Sequence, residues 1–168
     1  SRTRGRALER RGMVNIRQKT RVRMQMQGNA GSHARTDVAV RDVSSVIDEP
    51  LERGGTNQGL SPTETLMAAL IGCTNVITHK IAKGHGIDIE AMDVRLEADF
   101  DRRGVLLQED VDVPFPKVKL HIDVTSDADQ ASIETIKREL AMFCPIAKVI
   151  RGSGSVLEEI WTVHRPDA

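Results

Sequence analysis

The stretch 61-SPTETLMAALIGC-73 decides the fold of this chain, because it begins a helix apolar enough to lie at the centre of a domain. Ser61 is a favoured N-cap, Pro62 fits the first helical position, and Glu64 completes a capping box. Apolar side chains then recur at helical spacing, at Leu66, Leu70, Cys73, Ile77 and Ile81. Gly84 ends the pattern. We therefore predict a long central helix with Cys73 on its inward stripe.

Strands are predicted on both sides of this helix by the alternation of apolar and polar side chains. The pattern covers residues 22–26, 36–42, 92–101, 118–124 and 155–164. A second helix is predicted to begin near Asp129, and Pro145 interrupts it, because the residue before a proline avoids the helical region. This order of elements predicts an α+β fold in which helices cover one face of antiparallel sheets.

Length and charge indicate one domain with a basic extension. The 168 residues fit a single domain, which we place at residues 21–168. The formal net charge is zero, but nine Lys or Arg and a single acid precede residue 24. We expect residues 1–20 to be a basic, solvated or partly disordered arm. Because aromatics are only 2% of the chain and no apolar run approaches the ~20 residues of a membrane span, we expect neither a nucleic-acid nor a membrane partner.

The two cysteines, Cys73 and Cys144, carry the chemical interest of the sequence. They are too few for a disulfide scaffold and lack zinc-site spacing, so we expect a reducing, cytoplasmic setting. Free cysteine is often a small core residue, and that is the simplest interpretation of each alone. However, both fall on inward stripes, and Cys144 precedes Pro145 where it could cap a new helix, whose N-terminus favours a thiolate. Two such thiols in contact would suit peroxide reduction.

The segment 48-DEPLERGGTNQGLSPTETLMAALIGCT-74, with a Cys-Pro pair about seventy residues later, resembles the OsmC/Ohr family of osmotically inducible and organic hydroperoxide resistance proteins. The resemblance implies an OsmC-like intertwined homodimer with the long cysteine helices at its centre. It also implies a thiol-dependent peroxidase for organic hydroperoxides, with Cys73 as nucleophile and Cys144 as the resolving thiol. A dithiol such as a lipoyl protein would be the reductant, and no metal or bound cofactor is implied.

The sequence departs from the active peroxidases of that family at the residues that activate the thiolate. The family glutamate directly follows the helix-opening proline, whereas here Thr63 follows it and Glu64 comes one position later. That shift turns the side chain by about 100°, and the capping box explains Glu64 without catalysis. Arg35 is the nearest candidate for the family arginine, with His33 beside it as an acid or base. Arg35 and Glu64 are thus our candidate activating partners.

Three functional hypotheses follow. The first is a two-cysteine peroxidase that acts on organic hydroperoxides. The second is a catalytically weak or inactive homodimer of the same fold that binds a hydrophobic ligand or serves as an interaction module. The third keeps the thiol chemistry but takes a disulfide or a thioester as its electrophile. Formation of a Cys73–Cys144 disulfide under peroxide separates the first from the second.

Overall fold

The computed structural model describes residues 18–167, which form two three-stranded sheets and three α-helices. Most of the predicted basic arm lies outside the described residues. The elements are β1 (Gln27–Ala30), β2 (Thr36–Val40), β3 (Val43–Ile47), a short 3-10 turn (Leu51–Arg53), α1 (Pro62–Gly84), β4 (Ala91–Ala98), β5 (Lys117–Thr125), α2 (Gln130–Phe143), α3 (Pro145–Gly152) and β6 (Val156–His164).

The first sheet is antiparallel in the order β1–β2–β3. A two-residue turn joins β2 to β3, and Arg41 in that turn has a φ of 55°. The sequence did not predict β3, because its apolar residues do not alternate. The strand predicted at 22–26 is wrong in position, since that segment is exposed and irregular. Gln27 already pairs with Ala39 near the end of β2, so among residues 18–167 no strand remains opposite 22–26.

The second sheet has the order β4–β5–β6 and is mixed. β4 pairs with β5 antiparallel, as predicted, whereas β5 pairs with β6 in parallel. The parallel pairing differs from the prediction for a topological reason: α2 and α3 carry the chain back across the sheet before β6 begins. Such a helical crossover is the connection that parallel neighbours require.

The core lies between this second sheet and the helices. β5 alternates strictly, with every second side chain buried against the helices. α1 packs against α2, α3 and β4. The buried apolar side chains are Met67, Leu70, Ile81, Ala82, Val118, Leu120, Ile122, Val124, Ile133, Ile136, Leu140, Cys144, Ala147 and Ile150. None of them belongs to the first sheet, so that sheet has no buried apolar face within the single chain.

Candidate functional site: a pair of thiols between two helices

α1 carries Cys73, and the start of this helix is fixed as the sequence predicted. The Ser61 side chain accepts a hydrogen bond from the Glu64 N–H, and the Glu64 carboxylate accepts one from the Ser61 N–H at 2.8 Å. Pro62 occupies the first helical turn. From this start Cys73 falls on the side of the helix that packs against the core, where it is half-buried.

Cys144 lies at the break between α2 and α3, as its place before Pro145 predicted. Its backbone is extended, with φ −74° and ψ 107°, and it is the N-cap of α3. The N–H of Ala147 donates to the Cys144 sulfur at 3.5 Å. Cys144 is only 1% exposed. The proline break therefore places a buried sulfur at the N-terminus of a helix.

The two sulfurs meet although 71 positions separate them in the chain. The Cys144 Sγ donates a hydrogen bond to the Cys73 Sγ across 3.0 Å, and both cysteines are free. The half-buried Cys73 is the more accessible of the two. The arrangement is a dithiol with one sulfur near solvent and the other enclosed.

Burial decides the ionisation of Cys144. The sequence predicted that the N-terminus of α3 would favour its thiolate. Instead, burial, with the hydrogen bond to Cys73 second, raises the pKa of the Cys144 thiol to about 11. The N–H of Ala147 opposes this rise without overcoming it. Cys144 is therefore a protonated thiol at neutral pH, because desolvation disfavours the charged form more than the helix terminus stabilises it.

An apolar cleft of about 370 Å³ is lined by residues close in the chain to the two cysteines, although neither cysteine lines it. Ile77 lies one helical turn beyond Cys73, and Phe143 immediately precedes Cys144 and is 56% exposed. Lys80, Ile81, Gly84, His85 and Glu139 complete the lining. His85 and Glu139 are joined by a hydrogen bond of 2.9 Å on its rim. The surface of the cleft is mainly apolar.

The two candidate activating residues have other partners in the chain. Arg35 pairs with Asp37 at 2.9 Å, and this hydrogen bond is the main reason that the pKa of Arg35 is raised. Glu64 caps α1. Within residues 18–167, no hydrogen bond joins Arg35 or Glu64 to either sulfur. The structure brings the cysteines together but does not bring these two residues to them within one chain.

The sequence analysis missed Asp48, the most completely bonded buried acid of the described chain. Its carboxylate is fully buried and accepts hydrogen bonds from the Glu49, Thr56 and Gln58 N–H groups and from the Thr56 hydroxyl. These bonds, led by the hydroxyl of Thr56, lower the pKa of Asp48 to about 2. Asp48 thus organises the glycine-rich loop that leads into α1. An aspartate at the head of a Gly- and Thr-rich segment was the available signal.

That loop also forms one wall of a second, wider cleft of about 840 Å³. Arg53 and Glu64 both line it, and Arg53 pairs with Glu49 at 2.7 Å. Phe100, Arg102 and Leu106 line the opposite wall. Neither cysteine reaches this cleft. Arginine and glutamate side chains therefore do face a common space here, but the arginines are Arg53 and Arg102 rather than Arg35.

The described residues also bear on metal binding and on membrane insertion. Among residues 18–167, no three His, Cys, Asp or Glu side chains come together as a metal site would require. One described helix, α1, is long and apolar enough to span a membrane by length and composition alone. Leu70 and Ile81 of that helix are buried in the core.

Known proteins share this fold. The chain superposes with a TM-score of 0.68 on an OsmC-like protein from Mycoplasma pneumoniae, at 14% identity, covering 87% of this chain and 99% of that one. An organic hydroperoxide resistance protein OsmC from Legionella pneumophila gives 0.59 at 18% identity, covering 86% and 98%. One from Elizabethkingia anophelis gives 0.60 at 18%, covering 89% and 100%.

The sequence comparisons bear on the family directly. A search of curated proteins found no match. A family model described as OsmC-like protein matches residues 55–159, a span that includes α1 with Cys73 and the α2–α3 break with Cys144. Because this match covers more than half of the chain, the protein belongs to the OsmC-like protein family.

Proposed function

We propose that this protein is a thiol-dependent peroxidase that reduces organic hydroperoxides with Cys73 and Cys144. The observation that carries the proposal is the 3.0 Å contact between the two sulfurs, one half-buried and one enclosed. A peroxidatic thiol needs access to its substrate, and a resolving thiol needs contact with the first sulfur. Each cysteine meets one of these requirements.

The proposed reaction moves two electrons from the dithiol to the peroxide. The Cys73 thiolate attacks the terminal peroxide oxygen, the O–O bond breaks, and the alcohol leaves after gaining a proton. Cys73 is then a sulfenic acid. The Cys144 sulfur attacks it, an S–S bond forms, and the hydroxyl leaves as water.

A bulky apolar hydroperoxide suits the surroundings of the thiols better than hydrogen peroxide. Ile77, Ile81 and Phe143 line an apolar cleft, and Ile77 and Phe143 lie within four positions of Cys73 and Cys144 in the chain. Burial of an apolar substituent there would contribute about 25 cal/mol per Å² of surface removed from water. Two proteins of the same fold are named organic hydroperoxide resistance proteins, which supports the same substrate class.

A dithiol such as a lipoyl protein would complete the cycle. One of its thiols attacks the Cys73–Cys144 disulfide and the other closes a new disulfide, so that both cysteines return to thiols. The reductant becomes oxidised by the same two electrons. We place this cycle in the cytoplasm, where free thiols such as these are maintained.

We also propose that residues 21–168 act as one domain within a homodimer. The first sheet has no buried apolar residue, and an isolated small sheet needs a packed face for stability. In addition, α1 leaves a stripe of small and apolar residues exposed, at Leu66, Ala69, Gly72 and Val76. A second copy packed on this stripe and sheet would cover both. Sedimentation equilibrium tests this: we expect twice the monomer mass of 18.5 kDa, and a monomer at micromolar concentration would contradict it.

The experiment that tests the peroxidase is rapid mixing of the reduced protein with cumene hydroperoxide. We expect the loss of two thiols per chain and a Cys73–Cys144 disulfide, mapped by mass spectrometry. The matched controls are Cys73→Ser, which should consume no peroxide, and Cys144→Ser, which should stop at a trappable sulfenic acid on Cys73. Two thiols that persist in the folded wild-type protein would overturn the proposal.

One observation favours the non-catalytic alternative, a dimer that binds a hydrophobic ligand. Within residues 18–167, no Lys, Arg or His side chain donates a hydrogen bond to either sulfur, so a cationic activator is absent from the described part of the single chain. Mass spectrometry of the purified protein under native conditions tests this alternative. A stoichiometric lipid-like molecule together with unreactive thiols would support it.

A further inference from the structure

The hydrogen bond between the thiols has a direction. Because a thiolate can only accept, Cys144 is the donor and Cys73 the acceptor once Cys73 is ionised. Among the described residues, Cys144 is the side chain that forms a hydrogen bond with the Cys73 sulfur. The two candidate activators have other partners: Arg35 donates to Asp37, and Glu64 accepts from Ser61. The group placed to hold a negative charge on Cys73 is therefore the second thiol itself.

Given the proposed peroxidase, on which this step rests, we infer that the Cys144 thiol acts before it resolves: its S–H first orients the Cys73 thiolate and then protonates the departing alkoxide. Cys144 would thus be the general acid of the peroxide step. The same proton transfer would turn it into the nucleophile of the next step.

The atoms and charges of this sequence balance. The Cys73 thiolate takes the terminal oxygen as the O–O bond breaks, and the remaining alkoxide takes the proton of Cys144 and leaves as the alcohol. A Cys73 sulfenic acid and a Cys144 thiolate remain in contact. The thiolate then attacks the sulfenic sulfur, the S–S bond forms, and hydroxide leaves. The hydroxide takes up the proton that Cys73 released when it ionised, so the overall change is two thiols and one hydroperoxide to one disulfide, one alcohol and one water.

The surroundings of Cys144 suit both halves of this role. Burial raises the pKa of its thiol to about 11, so the proton is still present when peroxide arrives. An alkoxide is the base of an acid about as weak as water and far weaker than a thiol, so the transfer runs downhill. Once the proton has left, the Ala147 N–H at the start of α3 points at the new thiolate and stabilises it.

Two substitutions at one position separate the donor role from the resolving role. Neither Cys144→Ala nor Cys144→Ser can form the disulfide, so both stop at the Cys73 sulfenic acid. Serine keeps a hydroxyl donor facing Cys73, whereas alanine removes it. The rate of sulfenic acid formation with cumene hydroperoxide is measured by dimedone trapping and quenched mass spectrometry. Circular dichroism checks that each variant is folded.

We expect Cys144→Ala to slow sulfenic acid formation by about 100-fold or more, as the loss of a general acid does. Cys144→Ser should recover at least about ten-fold of that loss. Equal rates in wild type and Cys144→Ala, or equal slowing in both variants, would overturn the inference.

The wild-type protein supplies an independent test that does not depend on a variant folding. Proton transfer in the peroxide step predicts a normal solvent deuterium isotope effect on single-turnover sulfenic acid formation. The absence of an isotope effect would overturn the donor role. In contrast, the proposed peroxidase itself fails only if wild-type Cys73 does not oxidise at all, so the two failures are distinguishable.

Discussion

Substitutions of Glu64 test whether its carboxylate only caps α1 or also takes part in the thiol chemistry. Its carboxylate accepts a hydrogen bond from the N–H of Ser61, a residue only 2% exposed, at 2.8 Å. Glu64→Ala leaves this enclosed N–H without a partner, and the loss of one such bond costs about 1 kcal/mol. Glutamine keeps an acceptor oxygen at the same reach, since it also completes a capping box. We therefore expect Glu64→Gln to lose much less.

Urea unfolding followed by circular dichroism measures these differences in the free energy of unfolding. For a chain of this size, about 1 kcal/mol corresponds to a melting temperature about 2–4 °C lower. Ser61→Ala is the matched variant, because it removes the other half of the capping box. It should also lower the free energy of unfolding by about 1 kcal/mol. Peroxide consumption per folded molecule should stay at the wild-type rate in all three variants.

The result that would refute this reasoning is specific. If Glu64→Gln unfolds like wild type but loses peroxide consumption, the negative charge of Glu64 serves the chemistry and the capping role is secondary. If instead Glu64→Ala and Ser61→Ala have wild-type stability, the capping box contributes nothing to the fold. Either outcome would reopen the search for an activating partner of the thiols.

Three further predictions concern the core and the loop before α1. Leu70→Ala empties a fully buried position and should cost about 2–5 kcal/mol in urea unfolding, whereas Val105→Ala at an exposed loop position should cost much less. Asp48 has its pKa lowered from 3.8 to about 2, so it stabilises the fold above that range and this stabilisation is lost as the pH falls through it. Asp48→Asn should therefore be less stable at pH 7 and should lose stability less steeply under acid unfolding between those pH values. Gly55→Ala places a Cβ onto a backbone carbonyl of the same loop and should lower the melting temperature, whereas Gly84→Ala meets no atom and should not.

Each of these predictions has a contradicting outcome. A Leu70→Ala variant as stable as Val105→Ala would mean that the helix-to-sheet core relaxes to fill the space. Parallel acid-unfolding curves for wild type and Asp48→Asn would mean that Asp48 titrates alike in the folded and unfolded chain. A Gly55→Ala variant with the wild-type melting temperature would mean that the loop has another conformation available.

The elements that the sequence predicted well are those fixed by nearby residues. The start of α1 follows from Ser61, Pro62 and Glu64, which lie within four positions of one another. The break before α3 follows from Cys144 and Pro145 alone. β5 was equally clear, because one of its faces is buried along its whole length and the alternation of side chains records that burial.

The features that the sequence did not predict depend on residues far apart in the chain. β5 pairs with β6 in parallel because α2 and α3 connect them. The alternation of side chains in either strand does not depend on that connection, so it could not predict the pairing. Asp48 draws its partners from as far as Gln58. Residues 22–26 alternate like a strand but have no strand partner in the described part of the chain. In the same way, helical periodicity predicted that both cysteines face inward but could not predict the 3.0 Å contact between their sulfurs.

The distance along the chain between the two cysteines has a thermodynamic consequence. A disulfide between Cys73 and Cys144 would close a loop of about 70 residues and restrict the unfolded chain by about 4 kcal/mol of conformational entropy. Oxidation would then tie α1 to the crossover that connects β5 and β6. Oxidation by peroxide would thus make the protein harder to unfold, and reduction of the disulfide would return it to the less stable dithiol form. The melting temperature of this protein would therefore report the fraction of chains in the oxidised form.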